Sequence, residues 1–151
     1  MQTTTTGGED TSTLRSENMT KVFVYGSLKK GYGNNRLLLN AEFLGERVTA
    51  SDYILGDVGF PYMFPRAAFD EDFNTKNDSL FKRVQGELYV VDEPTLARLD
   101  RLEGEGVHYH RFEIMLEDGD LVYTYLQLDP HAVYSCGGCD ETEEGYWKWN
   151  R

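Results

Sequence analysis

The order of apolar and polar positions predicts a chain built mainly from β-strands. Residues 21–25 (KVFVY) are mostly β-branched or aromatic and stop at Gly26, which is typical of a central strand. Two later apolar runs flank the sequence Glu-Asp-Gly-Asp at residues 117–120, whose Asp-Gly step favours a hairpin turn. In all, strands are predicted at residues 21–25, 41–50, 51–57, 84–91, 109–116 and 121–128.

The strongest helical pattern covers residues 93–102. Asp92 can cap this helix, and Pro94 fits its first turn. Leu96, Leu99 and Leu102 recur at a spacing that puts them on one face. The sequence therefore predicts one well-defined amphipathic helix directly after the strand at residues 84–91.

Three other segments give weaker signals. Residues 34–40 contain three consecutive leucines and predict a short helix. The aromatic stretch after residue 57 contains Pro61 and Pro65 and is predicted to be irregular. Residues 70–79 are polar and acidic, which predicts a loop or an insertion between strands.

Many strands and few helices predict an α+β fold. We expect a single domain with a mixed, curved β-sheet that can close into a barrel and a few flanking helices. A chain of 151 residues supports one core. Residues 1–20 are rich in Thr, Ser, Gly and acidic residues and are predicted to be a disordered tail, so that residues 21–151 form the domain. Met19 is a second candidate for the first residue of the protein.

Charge and hydropathy argue against two classes of partner. The formal net charge is −11, and an acidic surface opposes the phosphate contacts that nucleic-acid binding requires. No apolar run reaches the ~18–20 residues that span a bilayer, and the N-terminus lacks a signal-peptide pattern. We expect a cytoplasmic protein that binds neither nucleic acid nor membrane. The sequence makes no prediction about oligomeric state.

The turn formed by Tyr25, Gly26, Ser27 and Leu28 is the first candidate site. A strand that ends in glycine before a helix exposes backbone N–H groups that can hold a carboxylate or a developing oxyanion. The alternative is a tight turn in which Gly26 supplies a positive φ. Ser27 lacks the pattern of an activated nucleophile, and the Lys-Lys-Gly that follows lacks the spacing of a phosphate-binding loop.

Glu103 is the second candidate. It lies at the end of the predicted helix, next to Gly104, which can terminate that helix. Carbonyl groups at a helix C-terminus disfavour a carboxylate and should raise its pKa, which suits an acid/base group near neutral pH. The alternative is a solvated glutamate, and Glu105 is an equally acidic rival.

Cys136 and Cys139 form a CxxC pair, which can be half of a zinc site or a redox pair. The chain lacks a second such pair, and His131 is the only imidazole nearby. A zinc site shared between two subunits is the alternative. A loop with two reduced thiols is the favoured interpretation, so no metal site is predicted within one chain.

Taken together, these motifs resemble the γ-glutamylcyclotransferase family, and most closely its γ-glutamylamine cyclotransferase and AIG2-like branch. The resemblance covers residues 21 to about 147. In chain order it comprises residues 24–31 (VYGSLKKG), Asn34, residues 86–92 (GELYVVD), Leu99, Asp100, Glu103, Tyr109, Arg111 and residues 145–147 (GYW). Residues 70–79 and the cysteine loop match nothing in that pattern.

The resemblance implies a compact mixed β-barrel with a cavity at one end. It implies that the backbone of Tyr25, Gly26, Ser27 and Leu28 binds a γ-glutamyl group and that Glu103, rather than Glu105, is the acid/base. Tyr109 would contact the substrate or support the site, and Arg111 matches a position near the glutamate. The implied reaction is cyclisation of a γ-glutamyl compound to 5-oxoproline, without a metal or an organic cofactor.

The resemblance leaves two questions open. The substrate can be a γ-glutamyl amine, a γ-glutamyl amino acid or a γ-glutamylated biosynthetic intermediate, with glutathione less compatible. The protein can also be a catalytically silent relative that binds a small ligand or a protein partner.

Overall fold

The centre of the fold is a mixed five-stranded sheet with the strand order β2-β5-β1-β7-β6. The computed structural model describes residues 19–57, 61–104, 109–135 and 140–149. The strands are β1 (Met19–Val24), β2 (Glu42–Val48), β3 (Ile54–Asp57), β4 (Pro61–Phe64), β5 (Gln85–Asp92), β6 (His110–Met115), β7 (Leu121–Leu126), β8 (Asp140–Glu141) and β9 (Trp147–Lys148). The α-helices are α1 (Glu71–Lys76) and α2 (Glu93–Glu103), and 3-10 helices cover Gly33–Leu38, Arg66–Ala68, Asp78–Leu80 and Pro130–Ser135.

The sheet confirms the predicted α+β class and its mixed character. β1 runs parallel to β7 and antiparallel to β5, while β2 with β5 and β6 with β7 are antiparallel pairs. The predicted closure into a barrel is wrong for the strands that the structure describes. The two edge strands touch only at their ends, where Thr49 forms a bridge with Leu116. There the Ala50 N–H donates to the Met115 carbonyl at 3.0 Å, and the Glu117 N–H donates to the Val48 carbonyl at 2.8 Å. The chain then leaves this edge for the β3–β4 hairpin, so the ladder does not continue.

β1 is central because both of its faces are apolar. Phe23 packs into one hydrophobic cluster together with Tyr25, the first residue after the strand. Val22 and Val24 pack into another cluster. Val22 and Phe23 are completely buried. Burial on both faces fixes the end of β1, and with it the start of the turn that follows.

The helix α2 confirms the predicted cap and terminator. The Asp92 side chain accepts a hydrogen bond from the Thr95 N–H at 2.9 Å, and Gly104 ends the helix in the left-handed region at φ 59° and ψ 50°. Leu99 is fully buried in the cluster that contains Val22 and Val24, whereas Leu102 remains 41% exposed. Packing through Leu99 therefore holds the helix against the sheet.

The prediction of a loop at residues 70–79 is wrong, because this segment contains α1 and the 3-10 helix Asp78–Leu80. The side chain of Asp70 accepts a hydrogen bond from the Phe73 N–H at 2.8 Å, which starts α1. The ring of Phe73 stacks on that of Phe69 with a centroid distance of 4.2 Å, and both rings pack against a small hydrophobic cluster. The Asn74 Nδ2 also donates to the Arg66 carbonyl at 3.1 Å, so the short helix is held by contacts outside itself.

The stretch around Pro61 is more regular than predicted. Pro61 is the first residue of β4, which pairs with β3 in a separate two-stranded sheet. A proline is tolerated at the first position of a strand because no ladder partner needs its missing N–H.

The ends of the predicted elements differ slightly from the observed ones. β1 begins at Met19, so residues 19 and 20 of the predicted tail belong to the sheet, and residues 1–18 lie outside the described residues. The predicted hairpin is confirmed: the Leu116 N–H donates to the Asp120 carbonyl at 2.8 Å, and Gly119 adopts φ 93°. Within the described ranges, no helix is long and apolar enough to cross a membrane.

Candidate active site

A cavity of about 330 Å³ lies where β1, the turn after it and the end of α2 meet. The six residues singled out from the sequence, Tyr25, Gly26, Ser27, Leu28, Glu103 and Tyr109, all line it. The remaining lining residues are Phe23, Val24, Asn34, Pro61, Tyr62, Leu102 and Tyr125. The structure therefore brings the turn at residues 25–28 to the same cavity as Glu103 and Tyr109, although they are far apart in the chain.

The turn after β1, formed by residues 25–28, exposes two backbone N–H donors, and we call it the donor turn. The Lys29 N–H donates to the Gly26 carbonyl at 3.0 Å, and Asn34 bonds Ser27 twice, through N–H to carbonyl at 3.1 Å and Nδ2 to Oγ at 2.8 Å. These bonds fix the turn through the carbonyl groups of Gly26 and Ser27 and through the Ser27 hydroxyl group. The N–H groups of Ser27 and Leu28 donate to no acceptor in the described part of the chain, and they are available to a ligand.

Gly26 is required by a close approach rather than by its backbone angles. A methyl group at this position would lie 2.5 Å from Cγ and 2.9 Å from Cδ of Pro61. Gly26 is not among the glycines with positive φ, so the alternative explanation of a left-handed turn residue is wrong. Pro61 thus packs directly against the start of the donor turn.

The far side of the turn is held by the C-terminal segment. The Lys29 ammonium is almost completely buried and donates to the Trp149 carbonyl at 2.6 Å. The Trp149 ring lies 5.0 Å from the ring of Tyr32, which belongs to the same turn region. Lys29 therefore faces the protein and does not line the cavity, which explains why the Lys-Lys-Gly sequence is not a phosphate-binding loop here.

Glu103, the last residue of α2, is partly buried at the wall of the cavity. Burial raises the pKa of its carboxyl group from the ordinary value of 4.5 to about 7. The predicted direction is confirmed, with desolvation as the cause instead of the helix carbonyls that the sequence suggested. A carboxyl group with this pKa exchanges a proton readily near neutral pH.

The tyrosine hydroxyl groups around the cavity are already committed to protein acceptors. Tyr25 donates to the Tyr125 carbonyl at 2.6 Å, and Tyr109 donates to the Pro61 carbonyl at 2.7 Å. Burial, followed by the charges of Tyr109 and Glu103, raises the pKa of Tyr25 well above its usual value. Both hydroxyl groups therefore donate to the protein, and Tyr25 ties the start of the donor turn to β7.

A second acidic residue near the cavity is paired with other protein groups. Asp100 accepts a hydrogen bond from the Tyr125 hydroxyl at 2.6 Å and pairs with Arg111, with 3.2 Å between Oδ2 and NH1. Arg111 is therefore paired with an acid on the same helix as Glu103, three residues before it. Tyr125 itself, together with Pro61, Tyr62 and Leu102, was missed as a lining residue, because no local pattern in the sequence marks such positions.

Glu105, Cys136 and Cys139 lie outside the described residues. His131 is exposed on the 3-10 helix Pro130–Ser135. Within the described residues, no group of three or more His, Cys, Asp or Glu side chains is arranged to hold a metal ion.

The comparisons with known proteins agree with this architecture. Residues 22–149 match the family model described as "Gamma-glutamyl cyclotransferase, AIG2-like". A Methanocaldococcus jannaschii protein named "Putative gamma-glutamylcyclotransferase" is 35% identical over 122 residues, covering 79% of this chain and 89% of the relative. A γ-glutamylcyclotransferase family protein of Escherichia coli strain K12 is 33% identical over 107 residues, covering 70% and 81%.

The fold has a close counterpart among solved structures. The crystal structure of an AIG2-like protein from Mus musculus superposes with a TM-score of 0.63 at 22% identity, covering 89% of this chain and 97% of that one. At this identity the likeness concerns the fold alone. Because the family model spans most of the sequence, the chain belongs to the AIG2-like γ-glutamylcyclotransferase family.

Proposed function

We propose that this protein converts a γ-glutamyl amine or γ-glutamyl amino compound into 5-oxoproline and a free amine, with Glu103 as the acid/base. The observation that carries the proposal is that one cavity is lined both by Glu103, whose pKa is about 7, and by Ser27 and Leu28, whose N–H groups have no acceptor among the described residues. The first can move a proton, and the second can hold an anionic oxygen. No nucleophilic side chain is needed, because the substrate supplies its own amine.

The proposed reaction is an internal aminolysis. Ionised Glu103 takes a proton from the substrate's α-ammonium group, and the resulting amine attacks the γ-carbonyl carbon. The new C–N bond closes a five-membered ring, and the negative charge moves to the carbonyl oxygen. Glu103 then gives its proton to the nitrogen of the γ-amide, and the original C–N bond breaks.

The protons balance without a co-reactant. The ring nitrogen still carries one surplus proton after the amide bond breaks, and the Glu103 carboxylate accepts it. Two protons in all leave the α-nitrogen, and both end on the expelled amine, which departs as an ammonium ion. Neither water nor a metal or organic cofactor is consumed.

Backbone binding of the glutamyl group supplies the orientation that the reaction needs. The N–H groups of Ser27 and Leu28 would hold the glutamyl group and stabilise the charge on the tetrahedral oxygen. Because the amine and the amide belong to one molecule, holding them in a reactive geometry can contribute up to ~7–11 kcal/mol. A well-placed acid/base group adds roughly 10²–10⁴-fold in rate.

The direct test is to incubate the purified protein with a panel of γ-glutamyl amines and dipeptides and to measure 5-oxoproline. We expect turnover of at least one member. Binding of γ-glutamyl compounds without turnover of any of them would instead support a catalytically silent member of the family.

The role of Glu103 is tested by Glu103→Gln, which keeps the size and hydrogen bonding of the side chain but cannot move a proton. We expect kcat to fall by about 10²–10⁴-fold. Glu93→Gln is the matched control, because Glu93 lies exposed at the other end of the same helix. For the parent protein, kcat/KM should rise as the pH passes through about 7, since the ionised carboxylate is the base. Full activity in Glu103→Gln would remove Glu103 from the mechanism.

A further inference from the structure

The direction of each free N–H group in the donor turn is set by the carbonyl group of the same peptide unit. A trans peptide unit is planar, so its C=O and N–H bonds point in opposite directions. The Gly26 carbonyl, which shares a unit with the Ser27 N–H, accepts a hydrogen bond from the Lys29 N–H at 3.0 Å. The Ser27 carbonyl, which shares a unit with the Leu28 N–H, accepts from the Asn34 N–H at 3.1 Å. The direction of the Ser27 N–H therefore depends on what holds the N–H of Lys29 in place.

A chain of hydrogen bonds connects the peptide unit of Lys29 to the strand β5. The Leu28 carbonyl, which shares a unit with the Lys29 N–H, accepts from the Asn35 Nδ2 at 2.9 Å. The same Nδ2 donates to the Tyr89 hydroxyl at 3.2 Å, and this hydroxyl donates to Oε1 of Glu87 at 3.0 Å. Burial raises the pKa of Tyr89 to about 12, so the hydroxyl keeps the proton that it donates. Every link in this chain thus has a donor and an acceptor.

Glu87 also holds the backbone directly after the donor turn. Its Oε1 accepts a second hydrogen bond, from the Lys30 N–H at 2.8 Å. On β5, Glu87 lies opposite Val24, the last residue of β1, so its position is fixed by the centre of the sheet. In the described part of the chain, Glu87, Tyr89 and Asn35 all lie outside the cavity lining, and they can influence a ligand only through the turn.

We infer that Glu87 is a positioning residue, which acts through Tyr89 and Asn35 to fix the direction of the Ser27 N–H. The inference rests on the proposed function, in which this N–H holds the glutamyl group and stabilises the tetrahedral oxygen. Both interactions depend on the angle at which the donor meets its acceptor. A donor that is present but displaced by about 1 Å can cost roughly 10²-fold in rate.

The test compares Glu87→Met with Glu87→Gln. Methionine has a similar length but removes the acceptor oxygen, whereas the glutamine amide oxygen can still accept from both Lys30 and Tyr89. We expect kcat/KM to fall by about 10- to 100-fold in Glu87→Met and to return to within about threefold of the parent in Glu87→Gln. In both variants kcat/KM should still rise near pH 7, because Glu103 is unchanged.

Glu46→Met is the matched control. Glu46 lies directly opposite Glu87 on the neighbouring strand β2, and its carboxylate accepts a hydrogen bond from the Gln85 Nε2 at 3.3 Å. The substitution removes the same charge from the same part of the sheet without touching the chain of bonds to the turn. We expect it to keep the parent kcat/KM.

Hydrogen exchange tests the positioning without a substrate. Exchange at the Lys29 amide should accelerate by about tenfold in Glu87→Met, because the bond from this amide to the Gly26 carbonyl loses its support. Tyr89→Phe removes only the hydroxyl group and should accelerate exchange at Lys29 as well. Glu46→Met should exchange at the parent rate.

The outcomes separate the inference from the proposed function. Turnover of no γ-glutamyl compound by the parent protein contradicts the proposed function, and exchange at Lys29 then tests the chain of bonds by itself. Parent values of kcat/KM and of exchange in Glu87→Met overturn the inference and leave the proposed function standing. Equal losses of kcat/KM in Glu87→Met and Glu87→Gln, or in Glu87→Met and Glu46→Met, also overturn it, because charge would then explain the effect. A loss in Glu87→Met that Glu87→Gln restores supports both.

Discussion

The helices α1 and α2 begin in the same way and differ in what they bury. Each starts behind an aspartate that accepts a hydrogen bond from an N–H three residues later, at 2.8 Å for Asp70 and 2.9 Å for Asp92. α1 has six residues and buries none of them, whereas α2 has eleven and buries Thr95 and Leu99.

The difference shows that a cap starts a helix, but packing decides whether the helix can position a functional group. The acidic residues of α1 remain at the surface, where Asp72 forms an exposed ion pair with Lys76 at 3.2 Å. Glu103 lies one turn beyond the buried Leu99, and its own surroundings raise its pKa to about 7. A carboxylate therefore behaves as a surface charge on one helix and as a perturbed acid on the other.

The largest expected effect is on the packing of α2. Leu99→Ala should lower the free energy of unfolding by about 2–5 kcal/mol, because Leu99 is fully buried and its removal leaves a cavity. Leu102→Ala on the same helix is the matched control and should cost much less, since Leu102 is 41% exposed. Urea titrations followed by circular dichroism measure both. Equal losses in the two variants would contradict the view that Leu99 anchors the helix.

The next effect separates Glu103 from the acids of α1. Because its pKa in the folded protein is raised from 4.5 to about 7, ionisation of Glu103 costs stability. The cost is absent below about pH 4.5, grows as the pH rises through 7 and is then complete. Glu103→Gln should therefore be more stable than the parent at pH 8 by about 1–3 kcal/mol, after allowance for the exposed part of the side chain, with little difference at pH 4.

Glu71→Gln, in the first turn of α1, is the control for that experiment. The substitution removes a favourable charge at a helix N-terminus, so it should leave stability unchanged or lower it slightly at pH 8. A gain in stability for Glu71→Gln equal to that for Glu103→Gln would mean that the effect comes from net charge rather than from burial.

The same contrast explains what the sequence could predict of the fold. α2 was predictable because eleven residues carry a cap, a periodic leucine face and a terminating glycine. α1 was not, because six residues are too few for a periodic pattern and its anchors are contacts outside the helix, among them the stack of Phe73 on Phe69. The open edge of the sheet was also beyond the sequence, since closure depends on strand curvature rather than on composition.

The site was predictable only in part, for a related reason. Glu103 and the turn after Tyr25 each carry a local signal, since one lies at a helix end and the other at a strand end. Only the family resemblance predicted that the two belong to one site. Pro61 and Leu102 carry no such signal. Even at Gly26 the local explanation was wrong, because the constraint comes from Pro61, which is distant in sequence and close in space.

A smaller effect is expected from the cap of α2. Hydrogen bonds from Thr95 lower the pKa of Asp92 below its ordinary value of 3.8, so the ionised cap stabilises the folded protein. That contribution is present above the ordinary value and is lost as the pH falls through the lowered one. Asp92→Ala should reduce the urea midpoint at pH 7, and the difference from the parent should shrink when both are measured near pH 2.5. A difference independent of pH would assign the loss to the backbone instead of the carboxylate.

The smallest effect should come from the matching cap of α1. Asp70→Ala removes the bond to the Phe73 N–H, which costs a helix roughly 0.5–2 kcal/mol. Because α1 buries none of its residues, this cost should open the helix locally without lowering the global unfolding midpoint. Hydrogen exchange should therefore accelerate at the amides of Phe73 and Asn74 and stay unchanged in α2, and turnover should be unaffected. A global loss of stability as large as that of Asp92→Ala would show that α1 stabilises the core although none of its residues is buried.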